Sequence, residues 1–223
     1  MSTIQEISKA IETGKMKLVK ELVPKAIEEG CSAQEILNDG LLHGMNIIGG
    51  RFSRNEAFVP EVLVSARAMN KGIELIKPLL AEEGNEPIGK ACIGTVQGDL
   101  HDSGKNLVKM MLEGKGFEVI DLGTDVAPEN FVNAAIENNC DIICCSALLT
   151  TTMHVMEDVV KAAEAAGIRD RVKIMIGGAP VNEEFCKQIG ADGYTVDAAS
   201  AADLALSFVQ YGGSRSSSCG RSP

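Results

Sequence analysis

Between residues 90 and 196 one pattern recurs five times. Short apolar runs at Ala91 to Val96, Phe117 to Leu122, Asp141 to Cys145, Val172 to Ile176 and Tyr194 to Val196 alternate with helical segments, each of roughly ten to fifteen residues. Apolar runs of this length, bounded by turn residues, read as strands buried on both faces. Strand and helix in alternation imply right-handed crossovers, and hence a parallel five-stranded sheet with helices on both sides. With no Trp and 4% aromatic residues, the interior must be built from aliphatic side chains, Ala and Met.

Residues 1 to 80 follow a different rule. Ile4, Ile7 and Ile11, then Leu18, Val19, Leu22, Val23 and Ile27, recur at steps of three and four, the period of a one-faced helix. Ser32 and Glu35 form a capping box ahead of Ile36, Leu37, Leu41, Leu42, Met45 and Ile48, and Pro60 suits the first turn of a helix through Leu63, Ala66, Met69 and Ile73. Four helices make a small bundle. The polar stretch from Ala81 to Gly89, with Gly84 and Pro87 and no apolar period, reads as a linker. The expected organisation is therefore a helical bundle domain at 1–85, an α/β domain at 90–211, and a tail at 212–223 too poor in apolar residues to order itself.

The formal charge of −10 and the lack of a concentrated Lys/Arg face argue against a nucleic-acid partner. No run approaches the ~20 apolar residues of a membrane span, and the N-terminus lacks a basic start followed by an apolar stretch, so no membrane association and a cytoplasmic location are expected. The cysteines are odd in number, seven. Cys140, Cys144 and Cys145 lie in an apolar run without C-x-x-C spacing, which predicts buried, reduced packing residues.

In a parallel sheet of this kind, ligands bind beyond the carboxyl ends of the strands, where the winding reverses. A flavodoxin-like (Rossmann-like) strand order of 2-1-3-4-5 would bring the loops after the first and third strands to the same crevice. After the first strand come Gly98, Asp99, Leu100, His101, Asp102, Ser103 and Gly104; after the third, Ser146 to Thr152; after the fourth, Gly177, Gly178, Ala179 and Pro180. Asp99, His101 and Gly104 spell D-x-H-x-x-G at the opening of a helix.

The stretch Gly94-Thr95-Val96-Gln97-Gly98-Asp99-Leu100-His101-Asp102-Ser103-Gly104-Lys105-Asn106 resembles the cobalamin-binding region of methionine synthase and of the corrinoid proteins of methyltransferase systems. The resemblance extends over essentially the whole chain outside the tail. It implies a cofactor, cobalamin or a related corrinoid with cobalt at its centre, whose own base leaves the metal so that His101 replaces it as the lower ligand. It also implies Asp99 and then Ser146 behind that histidine, and Leu100, Asp102, Ser103 and Gly104 along the cofactor.

The residue types suit that chemistry. A neutral imidazole is a good cobalt ligand, and a carboxylate taking its other N–H fixes the tautomer. Asp99 stands two residues away, and the Ser146 hydroxyl could extend the pair into a proton relay. Small residues at Gly98, Ser146, Ala147, Gly177, Gly178 and Ala179 leave room for a nucleotide tail, and Thr150, Thr151 and Thr152 offer hydroxyls to an amide-rich ring, with Leu148 beside them. Gly177 and Gly178 also have a plain reading as turn residues.

Gly50 to Leu63 is similar to the segment with which methionine synthase caps its corrin, which implies that Phe52, Phe58 and Val59 shield the upper face; the plainer reading is that they fill the bundle core. His43 and His154 lack metal-ligand partners at helical spacing and read as structural. By resemblance the chain is a methyl carrier, not catalytic alone, passing a methyl group as methylcobalamin from a donor-side to an acceptor-side methyltransferase that uses coenzyme M or tetrahydrofolate, with a reductive activator. Leu148 to Met153 looks most like corrinoid proteins serving methylamines or methanol. The alternatives are the binding subunit of another corrinoid enzyme such as a mutase, which normally accompanies a large barrel, and a Ser/His/Asp hydrolase, which would need a G-x-S-x-G elbow around Ser146. Nucleotide binding would need G-x-G-x-x-G or a Walker loop after the first strand.

Overall fold

The structure, a computed structural model, describes residues 1–82 and 86–212. Of the tail expected at 212–223, residues 213–223 lie outside the described residues, as do residues 83–85 of the expected linker, while Gly212 ends the last helix. The chain forms two compact units: Met1–Pro87 with Asn106–Glu118 and Asp197–Ala199, and Ile88–Lys105 with Val119–Val196 and the chain from Ser200.

In the first unit the apolar period becomes four helical rods. α1 (Thr3–Glu12) opens on a capping box in which Ser2 and Gln5 serve each other's backbone N–H groups, and α2 (Met16–Glu28) buries Val19, Leu22, Val23 and Ala26. The third rod is compound: one turn, α3 (Ala33–Glu35), a π-helical segment (Ile36–Leu42) and α4 (His43–Ser53). Its start is the Ser32/Glu35 box, with Glu35 N donating to Ser32 Oγ at 3.2 Å and Ser32 N to Glu35 Oε2 at 2.9 Å. α5 (Val59–Glu82) carries Pro60 in its first turn, where the missing N–H costs nothing. The π-helical segment is not written in the apolar period. A Cβ on Gly44 would stand 2.5 Å from the Ser8 carbonyl oxygen, so only glycine lets this rod lie against α1. Ile7, Ile11, Ile36, Leu41 and Met69 are fully buried, each stabilising the unit by about 1.5–3 kcal/mol relative to exposure.

The second unit is built on the sheet order β2-β1-β3-β4-β5, with β1 (Lys90–Thr95), β2 (Glu118–Asp121), β3 (Ile142–Ser146), β4 (Lys173–Gly177) and β5 (Gly193–Tyr194) each within a residue or two of an apolar run in the sequence. The connecting helices are α6 (Ser103–Gly114), which from Asn106 onward belongs to the first unit, α7 (Pro128–Glu137), α8 (Val155–Ala165) and α9 (Glu183–Gln188), and α10 (Ala198–Gly212) follows β5. β1, β3 and β4 are parallel, with Thr95 beside Ser146 and Ser146 beside Gly177, so their carboxyl ends finish level. Phe131, Ile143, Met156, Val159 and Ile174 fill the interior together with Cys92, Cys140 and Cys145. The six cysteines among the described residues form no disulfide. Burial pushes the Cys144 thiol up to about 12 and the Cys145 thiol well above its ordinary value, and a hydrogen bond with Cys140, then burial, raises Cys92.

Candidate functional site

At the level carboxyl edge of the sheet, the chain leaves β1 through Gly98 in the left-handed region, at φ +85°, a conformation that favours glycine. This turn drives the next side chain inward, and Asp99 is fully buried. Every direction from its carboxylate meets a donor. Oδ1 accepts from the His101 backbone N–H at 3.1 Å and from His101 Nδ1 at 2.7 Å. Oδ2 accepts from the N–H groups of Leu148 and Leu149 at 2.8 and 3.2 Å and from the Thr152 hydroxyl at 2.9 Å. Burial acts to raise the carboxyl pKa, but the donors, those of His101 foremost, outweigh it and hold the group well below the usual carboxylate range.

An ionised carboxylate only accepts, so Nδ1 carries the proton and the lone pair of the neutral imidazole belongs to Nε2. The His101 side chain is 52% exposed. The buried Thr95 hydroxyl donates to the His101 carbonyl at 2.8 Å, fixing the backbone beneath the ring. The arrangement is an imidazole held by one nitrogen and offered by the other.

Ser146 does not extend this pair. It is the last rung of β3, half-buried, and its hydroxyl is absent from the groups that donate to Asp99. Thr152 takes that role instead. After β3 the chain makes a turn that closes with Thr152 N donating to Leu149 O at 3.2 Å, and this turn carries the Thr152 side chain inward to a 7% exposed position against Asp99. Its hydroxyl therefore does not face a ring outside, whereas Thr150 and Thr151 are exposed. The sequence signal for this was faint, since three consecutive threonines give no hint of which one turns in.

The small residues divide by role. A Cβ on Gly178, at φ +133°, would lie 1.7 Å from the Ala147 carbonyl oxygen, so that glycine is demanded by the close approach of two backbones. A Cβ on Gly104 or Gly177 would meet nothing within 4 Å, so these positions border open space. Asp102, Ser103 and Ala179 are exposed, as are Leu100 and Leu148, apolar side chains left uncovered at the same edge. In the helical unit Phe52 is half-buried, Phe58 is 72% exposed and Val59 is 42% exposed, so Phe58 and Val59 do not fill the bundle core. His43 is engaged by Ser8, Nδ1 to Oγ at 2.9 Å.

Among the described residues no group of three or more His, Cys, Asp or Glu could hold a metal ion. A metal bound at His101 must bring most of its own ligands, as the centre of a macrocycle does. The donor set, one oriented imidazole beside open space, fits a corrinoid.

Comparison with known proteins agrees. Residues 89–203 match the family described as B12 binding domain, and residues 3–77 match a second family of the same description. The chain belongs to the B12-binding corrinoid proteins of methyltransferase systems. This corrinoid protein is 39% identical to Corrinoid protein DSY3155 of Desulfitobacterium hafniense, over 92% of its own chain and 96% of that one. It is 43% identical to Dimethylamine corrinoid protein 1 of Methanosarcina acetivorans, over 89% and 93%. Among solved structures it resembles the methanol:cobalamin methyltransferase complex of Methanosarcina barkeri, with a TM-score of 0.84 at 32% identity, covering 93% of this chain and 80% of that one. Its cofactor is cobalamin or a related corrinoid, and its role is that of a methyl carrier. No helix among the described residues is long and apolar enough to cross a membrane.

Proposed function

We propose that the corrinoid protein holds its cofactor with the cofactor's own base displaced and His101 Nε2 as the lower ligand of cobalt, and that it carries methyl groups from a methylamine- or methanol-type donor. The observation that carries this reading is the 2.7 Å hydrogen bond from His101 Nδ1 to the buried Asp99, which leaves Nε2 as the free basic nitrogen. Asp99 orients the ring, with Thr152 and the N–H groups of Leu148 and Leu149 orienting Asp99 in turn. Gly98, Gly104, Gly177 and Ala179 accommodate the cofactor along the sheet edge, and Phe52, Phe58 and Val59 shield it, excluding water from the reactive face. When bound, the cobalt supplies the metal–carbon bond on which the methyl group travels; the protein supplies orientation, ligand basicity and protection.

The partners are a donor-side methyltransferase and an acceptor-side methyltransferase using coenzyme M or tetrahydrofolate, with a reductive activator to restore the reduced metal. A methyltransferase partner is supported by the similarity to a methanol:cobalamin methyltransferase complex. The amine branch is supported by the 42–43% identities to dimethylamine and trimethylamine corrinoid proteins and by the run Leu148 to Met153. The test is the EPR spectrum of the Co(II)-loaded protein. Labelling histidine with the heavy nitrogen isotope should alter the axial nitrogen splitting, and His101→Ala should abolish it. A spectrum indifferent to both label and substitution refutes the histidine ligand. Presenting the loaded protein to donor-side methyltransferases for each amine and for methanol reads out the donor.

A further inference from the structure

Asp125 lies in the loop between β2 and α7, and nothing in the sequence pattern singles it out. It is one of three described residues other than glycine with positive φ, at +56°. Such a conformation costs a non-glycine residue free energy and persists only where its surroundings over-determine it. Here the surroundings are the loop that carries the cofactor ligand. The Asp125 carboxylate accepts from the Gly98 backbone N–H at 2.8 Å, while the Asp125 backbone N–H donates to the Asp99 carbonyl at 3.0 Å. One residue therefore grips both ends of the Gly98–Asp99 dipeptide, the segment whose φ of +85° at Gly98 sends the Asp99 side chain inward. The neighbouring ladder supports the grip, since Val126 N donates to Thr95 O at 3.0 Å and Val96 pairs with Val126.

We infer that Asp125 is a positioning residue for cofactor ligation: it sets the backbone from which Asp99 and His101 project, and so sets how firmly the imidazole is presented to cobalt. The inference rests on the reading of His101 as the lower ligand. The left-handed backbone at Asp125 is what lets the same residue donate with its N–H and accept with its side chain on one dipeptide. Asp and Asn are the side chains, after glycine, that tolerate this region best. Aspartate adds a charged acceptor for the Gly98 N–H, and hydrogen bonds to charged groups are the stronger ones.

The experiment compares Asp125→Asn, Asp125→Gly and Asp125→Ala with wild type and His101→Ala in the full chain. Its readouts are hydroxocobalamin affinity by titration and the axial nitrogen splitting of the Co(II) form with labelled histidine. Asp125→Asn keeps the acceptor and the backbone and should bind within about twofold of wild type with unchanged splitting. Asp125→Gly keeps the backbone but loses the acceptor and should bind about tenfold more weakly, with a smaller fraction of histidine-ligated metal. Asp125→Ala loses the acceptor and strains the turn and should bind more weakly still. Far-UV circular dichroism confirms that each variant is folded, and the glycine variant carries the test should the alanine variant fail to fold. If wild type shows the histidine signal, His101→Ala loses it, and Asp125→Gly matches wild type in both readouts, the positioning role is overturned while the ligand assignment stands. If wild type shows no histidine signal at all, the ligand assignment fails and the positioning role falls with it.

Discussion

Replacing Asp99 by Asn keeps the shape of the side chain, removes its charge and forces a choice between two orientations. Both ends of the carboxylate face donors, and an amide has only one accepting end. With its NH2 toward the loop after β3, the amide opposes the Leu148 and Leu149 N–H groups, which cannot turn away; only the Thr152 hydroxyl can rotate to accept. With its NH2 toward His101, it opposes one fixed donor, the His101 backbone N–H, because the ring can move its proton to Nε2 and accept at Nδ1. Leaving a buried donor unsatisfied costs about 1–3 kcal/mol, so the second orientation is favoured by about that amount, roughly five- to 150-fold in population. In that state Nε2 bears a proton and has no lone pair for cobalt. The expected outcome is a cofactor affinity about ten- to a hundredfold lower and loss of the labelled-histidine splitting from the Co(II) EPR spectrum of whatever does bind. Asp99→Asn protein that binds hydroxocobalamin like wild type and retains that splitting would refute the tautomer argument.

The glycines at the sheet edge should separate cleanly. Gly178→Ala places a Cβ 1.7 Å from the Ala147 carbonyl oxygen at a φ alanine rarely adopts, so the apoprotein should lose at least about 2–4 kcal/mol in urea unfolding. Gly104→Ala, with open space around it, should stay within about 0.5 kcal/mol of wild type; equal effects from the two substitutions would contradict the geometry. Acid provides a further check on Asp99. Its folded-state carboxyl pKa is lowered, so the stability it confers is complete above its unfolded value of about 3.9 and is lost as pH falls through the lower folded value. Urea midpoints measured downward from pH 5 should therefore fall more steeply for wild type than for Asp99→Asn, and parallel curves would count against an ionised Asp99 in the folded protein.

Much of the architecture was legible because it follows from periodicity. Five apolar runs predicted five strands within a residue or two, and the D-x-H-x-x-G spacing placed Asp99 within reach of His101. What was not legible depends on where a turn points its residues. The family resemblance implied Ser146 behind Asp99, yet a strand's last residue is bound to the register of its neighbours. Thr152 reaches Asp99 because the chain turns back after Leu149, and no linear spacing encodes that return. The π-helical stretch at Ile36–Leu42 escaped because its apolar residues keep an approximate helical period.

The cysteine thiols within the sheet bear on a hazard specific to a protein that handles an electrophilic one-carbon group. Sulfur is a ready acceptor of such a group only as the thiolate. With Cys144 pushed up to about 12 by burial, Cys145 raised by burial and then by Cys144, and Cys92 raised by its hydrogen bond with Cys140 and then by burial, almost none of the sulfur of these three is anionic at neutral pH. The interior can thus be rich in small, soft packing residues without the carrier alkylating itself, and the cargo is kept for a nucleophile that arrives from outside.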